Sequence, residues 1–188
     1  MGEPRGKKTL FLVRHAQSEQ NVAVRDLKAG KNGALLRVIS LGWDAPLSPA
    51  GRSQLEEARA TLADFAKVRR IQLVAHSPYV RAKDTARAIF DGRAEHIVEL
   101  PCIYERGPWE YFFPSFLDAR VAQFRDWLAS REETCIAVVG HGQFFKVATG
   151  APSVQANVSI VQVEYSDEGG FGARELAYQG FRPKATAT

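Results

Sequence analysis

The chain has 188 residues, 45% of them hydrophobic and 24% charged, which excludes a disordered or fibrous protein and suffices for one domain with a sizeable core. Its net charge of +4 is too small to argue for a nucleic-acid partner, and no apolar run approaches the roughly 20 residues needed to span a bilayer. The start, MGEPRGKK, lacks the apolar core of a signal peptide, and Gly6 stands where a myristoylation signal needs Ser or Thr.

Residues 1–7 are expected to be a loose tail. Residues 9–13, TLFLV, are β-branched, aromatic or aliphatic and read as a short buried strand. The strand ends at Arg14 and His15, a permanent cation beside a side chain that is a good neutral nucleophile near pH 7. Residues 17–25 read as a short helix, with Ser18 and Asn21 in its polar start. Residues 28–47 carry Gly30, Gly33, Gly42 and Pro46 without a clear period and read as an irregular loop. Between Val22 and Ser40, Arg25, Lys28, Lys31 and Arg37 stand against Asp26, a local excess of three cations. That suits an acidic small-molecule substrate, although solvated loop charges would give the same pattern. A helix then starts at Ser48 as N-cap with Pro49 in its first turn and runs to Val68. Leu55, Ala58, Leu62, Phe65 and Val68 form its apolar face.

Residues 71–75 read as a second strand ending at His76 and Ser77. A helix from Pro78 to Phe90 carries Arg81 and stops at Asp91-Gly92. Residues 96–100 are a third strand, and 102–114 an irregular, aromatic stretch. Residues 116–131 read as an amphipathic helix burying Phe116, Val121, Phe124, Trp127 and Leu128. Residues 134–139 are a fourth strand ending in Gly140-His141-Gly142, where glycine lets a backbone or ligand approach closely, and a short helix follows to about Thr149. Residues 158–165 and 171–178 read as two strands joined by a turn. Cys102 and Cys135 make no disulfide framework and fit a reducing compartment, so a cytoplasmic protein with no membrane partner is expected.

This alternation predicts a single α/β domain over residues 8–180, a three-layer sandwich with a mostly parallel sheet and helices on both faces, with flexible tails at 1–7 and 181–188. Parallel strands bring their carboxyl ends to one edge, where ligands bind in open α/β sheets. Arg14, His15, His76, Arg81 and His141 would meet there, with Glu105 shortly after the third strand. Taken singly, Arg81 reads as a helix-surface arginine, His76 as a helix cap and His96 as structural or solvated. No pair of histidines or cysteines has metal-ligand spacing, so no metal and no cofactor is expected.

Four ordered segments give the constellation a family likeness. LVRHAQSEQN resembles the R-H-G-x-[ST]-x-x-N signature of the histidine phosphatase superfamily, phosphoglycerate mutase-like branch, with Ala16 for the usual glycine. PLSPAGRSQ (46–54), SPYVRAKDTA (77–86) and VVGHGQF (138–144) are similar to its P-L-[ST]-x-x-G-x-x-Q, S-x-x-x-R-x-x-x-T-A and V-[SG]-H-G-x-x segments. Asn157 stands where the family often has an asparagine. The resemblance covers about residues 8–165.

The resemblance implies that His15 attacks phosphorus and becomes a phosphohistidine. It implies that Arg14, Arg81 and His141 hold the phosphoryl oxygens, with Ser18, Asn21 and Gly142 at the substrate. Glu105 would be the general acid, with Glu110 its serious competitor, because the family's L-x-E pattern is matched here only by position. The same phosphohistidine serves mutases, which carry E-R-x-Y-G near their acid. Glu105-Arg106-Gly107-Pro108-Trp109 shares only the first two residues, which favours a phosphatase acting on a small acidic phosphorylated metabolite over a mutase or a phosphoprotein phosphatase. A non-catalytic binding module would be free to lose one of His15, Arg14, Arg81 and His141, and all four are present. Two insertions, residues 22–45 and 106–115, are placed to roof the site. The aromatic residues of the second read as a plug packed on the domain, or alternatively as a lid.

Overall fold

The structure is a computed structural model and describes residues 6–180; positions 1–5 and 181–188, in the expected tails, lie outside the described residues. The elements run β1 (Lys8–Arg14), α1 (Glu19–Lys28), α2 (Ala34–Leu41), α3 (Pro49–Thr61), α4 (Phe65–Val68), β2 (Leu73–His76), α5 (Val80–Phe90) and β3 (His96–Glu99). A 3-10 turn, Pro101–Ile103, then leads to α6 (Trp109–Phe112), α7 (Pro114–Ser130), β4 (Cys135–Gly140), α8 (Gly142–Thr149), β5 (Ile160–Ser166) and β6 (Gly170–Tyr178).

The six strands form one sheet in the order β3-β2-β4-β1-β5-β6. The pairs β1–β4, β2–β4 and β2–β3 are parallel, and β5 and β6 add antiparallel. Alternate residues of β1 explain its uninterrupted apolar run. Leu10 and Leu12 enter one buried cluster with Leu117, Phe124, Leu128 and Phe144 of α7 and α8. Phe11 and Val13 enter another with Leu55, Ala58, Ala86 and Ile89 of α3 and α5. A strand covered on both faces has no polar positions to alternate with.

The register fixes the site. Arg14 lies level with Gly140, and His76 with Val139. His15 N donates to Gly140 O at 3.0 Å and Ser77 N to Val139 O at 2.9 Å. Three strand ends, 14–15, 76–77 and 140–141, therefore stop side by side.

Several expectations are corrected. Residues 28–47 contain the helix α2, bracketed by Gly33 (φ 74°) and Gly42 (φ 60°). Its glycines mark helix ends, and the absence of an inward period reflects a helix in which only Ala34 is buried. The helix from Ser48 breaks at residues 62–64, so Ala66 turns inward while Val68 is exposed. The stretch 102–114 holds the 3-10 turn and α6. Phe116, expected on the buried face of α7, is 62% exposed, and Leu117 takes the inward place. The aromatic plug is overturned: Trp109, Tyr111, Phe112 and Phe113 are all exposed.

Candidate active site

His15 is fully enclosed at the end of β1. Its Nδ1 lies 2.7 Å from Ala16 O. A carbonyl can only accept, so Nδ1 carries the proton and Nε2 keeps the lone pair. Arg81 Nε donates toward that Nε2 at 3.4 Å, which fits the same tautomer. Burial, then the charges of Arg81 and Arg14, hold the imidazole pKa well below 6.5. The ring is therefore neutral at pH 7.

The guanidiniums are placed from outside their own elements. Arg81 Nη1 donates to Trp43 O at 2.7 Å, and its guanidinium lies 4.7 Å from the Tyr79 ring centre. Arg14 Nη1 donates to Gln155 O at 2.7 Å, while its Nε is buried without a partner. A Cβ on Gly142 would come within 3.2 Å of Arg14 Nε and 2.3 Å of Val154 Cγ1, so glycine there makes room for the arginine.

His141 is also enclosed, its ring centre 5.0 Å from that of His15. Its Nε2 pairs with Ser77 Oγ at 2.7 Å, and its Nδ1 is buried without a partner. Burial first, then His15 and the arginines, keep this imidazole neutral too. With the Ser77 hydroxyl donating, Nδ1–H is left to donate to a ligand. His76 Nδ1 donates to Ser77 O at 2.8 Å.

The two carboxyls that competed for the acid role differ sharply. Glu105 reaches within 4.8 Å of ligand-type atoms of both His15 and His141. Burial raises its pKa, against the opposing pull of the Arg106 amide and of Arg81 and Arg14. Glu110 is buried in an ion pair with Arg120, at 2.7 Å from both Nε and Nη2. Burial works against its charge, but the Arg120 and Gly107 hydrogen bonds prevail and hold its pKa low. Glu110 is thus a tether beneath α6, and Arg120 fastens it to the carbonyls of Cys102 and Tyr104.

Ser18 and Asn21 form the capping box of α1: Ser18 Oγ accepts from Asn21 N, and Asn21 Oδ1 accepts from Ser18 N. Asn157 Nδ2 donates to His15 O at 2.8 Å and reaches Asn21 Oδ1 at 3.4 Å. Ala16 packs its methyl into the apolar cluster under α3, and its N–H goes to Thr85 Oγ1 at 3.0 Å. Thr85 also donates to Arg81 O, so it ties α5 to the His15 loop. The segment 46–54 is a second brace. Ser48 N donates to Gln17 O, Ser48 Oγ caps Gly51 N, and Gln54 Oε1 accepts from Gln17 N.

Tyr79, Trp43 and Gln155 were not singled out from sequence, whereas Ser77 and Thr85 stand at fixed positions of the segment 77–86. Thr85 had a signal: it follows Arg81 by four residues, one turn on, on the same helix face. Trp43 and Gln155 reach the two arginines through backbone carbonyls, which no side-chain pattern announces.

His15, Glu105 and His141 are also a group that could ligate a metal ion. Two guanidiniums at the same spot, Arg81 buried and Arg14 half-buried, favour an anion there, whose oxygens match guanidinium donors. Part of the basic character expected of the first insertion is paired internally: Asp26 takes Lys31, Arg37 and Arg25, and Arg37 also pairs with Glu19.

Residues 10–112 match the family model of the histidine phosphatase superfamily, branch 1. The chain belongs to that superfamily. No curated protein matches it. Among solved structures, YhfR of Bacillus stearothermophilus is 20% identical, with a TM-score of 0.64, over 94% of this chain and 98% of that one. A mycobacterial glucosyl-3-phosphoglycerate phosphatase is 17% identical, TM-score 0.59, over 93% and 99%. The protein histidine phosphatase SixA, solved with tungstate, is 19% identical, TM-score 0.56, over 89% and 96%. These likenesses establish the histidine phosphatase fold over most of the described residues. No helix among the described residues is long and apolar enough to cross a membrane.

Proposed function

We propose that this histidine phosphatase is a metal-independent phosphomonoester hydrolase that works through a phosphohistidine at His15. The observation that carries the reading is the tautomer: Nδ1–H bonded to Ala16 O leaves the Nε2 lone pair facing Arg81, in a ring kept neutral by its surroundings. Nε2 attacks phosphorus, the P–O bond to the alcohol breaks, and Glu105 gives its proton to the leaving oxygen. Water then attacks the phosphohistidine, Glu105 takes the water's proton, and inorganic phosphate leaves with the His15 lone pair restored. Arg14, Arg81 and His141 Nδ1–H stabilise the equatorial oxygens, which is where phosphoryl transfer needs charge stabilisation. Ser18 and Asn21 act chiefly by fixing the start of α1, and Gly142 by admitting Arg14.

A small phosphorylated metabolite is the favoured substrate class. The glucosyl-3-phosphoglycerate phosphatase supports it by name, whereas SixA keeps a phosphoprotein as the second reading. Mutase transfer ranks behind both, given the missing E-R-x-Y-G. The cytoplasm is the proposed compartment, in keeping with two cysteines that remain free thiols.

The test is hydrolysis of p-nitrophenyl phosphate in EDTA, with trapping of an acid-labile phosphoenzyme. Wild type should turn over and trap label. His15→Ala should lose both, and residual turnover above about one per cent of wild type would sink the assignment, given what a covalent route contributes.

A further inference from the structure

Exposed large apolar side chains among the described residues concentrate on two segments: Leu36, Ile39 and Trp43 on and after α2, and Trp109, Phe112 and Phe113 on and after α6, each more than half exposed. So much apolar surface on two short stretches signals a ligand. Both stretches adjoin the site. The Trp43 carbonyl accepts from Arg81, and Asp44 Oδ1 accepts from Val80 N at 2.6 Å, fastening this end of the first insertion to the helix that carries Arg81. The second stretch begins at Trp109, four residues after Glu105. Arg106 N donates to Glu105 Oε1, and Gly107 N donates to Glu110 Oε2. The buried Glu110–Arg120 pair turns residue 110 inward, so that its neighbours Trp109 and Tyr111 face out.

Resting on the phosphatase reading, we infer that these two stretches form the leaving-group subsite, and that the substrate is a phosphomonoester of a bulky apolar or aromatic alcohol. The leaving oxygen must meet Glu105, so the alcohol extends from Glu105 past the stretch that opens α6. Charge argues the same way. Near the leaving group, Arg106 lies 3.8 Å from the Tyr111 ring centre and donates to Glu110 O, and Arg25, Lys31 and Arg37 of the first insertion pair with Asp26 and Glu19. An acidic alcohol would find Arg106 already engaged, whereas an apolar one finds aromatic and aliphatic surface.

The experiment compares octyl with ethyl phosphate, whose alcohols have nearly the same acidity, so that intrinsic reactivity cancels. It adds binding of octylphosphonate and ethylphosphonate, which cannot be hydrolysed. Wild type should favour the octyl ligand by about tenfold or more in kcat/KM and in Kd, below the micelle concentration. The Trp109→Ser, Phe112→Ser double variant should bring both ratios toward one while ethyl phosphate is hydrolysed as before. A phosphonate ratio near one in wild type, or one unchanged in the variant, overturns the subsite. Apolar dependence seen only as binding to phosphatidylglycerol vesicles, or as dimerisation lost in the variant, overturns it in favour of a lipid surface or a second copy. Absence of turnover on either ester refutes the phosphatase reading alone, because the phosphonate ratio still decides the subsite.

Discussion

The proposed attack needs His15 neutral and Glu105 protonated, and the surroundings move the two groups toward each other. Enclosure and two guanidiniums push the His15 pKa down from 6.5, so competence is lost only as pH falls through that lowered value. Burial pushes the Glu105 pKa up from 4.5, so competence is lost as pH rises through the raised value. After correction for the substrate's own second ionisation, near pH 6, kcat/KM should show no acid limb at 6.5. It should show an alkaline limb that Glu105→Gln removes, along with most of kcat. An acid limb at the free histidine value would contradict the neutral, arginine-flanked ring. At this scale the sequence was informative where residue type alone dictates chemistry. Arg14, His15, Arg81 and His141 meet where the strand ends predict. It was silent where a backbone atom does the work, as at Trp43 and Gln155. It was ambiguous between Glu105 and Glu110, because only the position of Arg120, ten residues on, tells an acid from a tether.

Two elements hold the His15 loop from beneath. The N-terminus of α3 lies so close to it that a Cβ on Gly51 would fall 2.0 Å from Gln17 O and 2.9 Å from Gln17 C. Backbone cannot yield as a flexible side chain does. Gly51→Ala should therefore cost about 1–3 kcal/mol in urea unfolding and lower kcat, although residue 51 touches no substrate. On the other side, α6 depends on Glu110. Glu110→Ala leaves Arg120 buried without its counter-charge and should cost about 3–5 kcal/mol. The carboxyl is held below 4.5, so its contribution is complete above that value and fades as pH falls through the lowered one. Wild type should lose part of its advantage over Glu110→Ala below pH 4, while the variant's pH–rate profile keeps its Glu105 limb. The spacing of apolar residues exposed α3, α5 and α7 to prediction because those helices bury one face. It hid α2 and α6, whose apolar residues point outward, where periodicity carries no information about a core.

At the scale of the molecule, strand–helix alternation was enough to place a parallel sheet covered on both faces and to bring the four motif ends to one edge. The strand order was not legible, because seating β4 between β1 and β2 depends on crossovers that no local pattern encodes. Nor was the role of Asp44 legible, since it caps a helix 36 residues away in sequence. That cap has a practical side. Trp43 and Asp44 are stitched to the helix of Arg81, and Ser18 and Asn21 close the other end through their own box. Between these anchors the chain is free of any duty toward the phosphate. Residues 30–42 therefore form a replaceable cassette, which evolution or a protein engineer could lengthen, shorten or reface to retarget the enzyme while leaving its chemistry untouched.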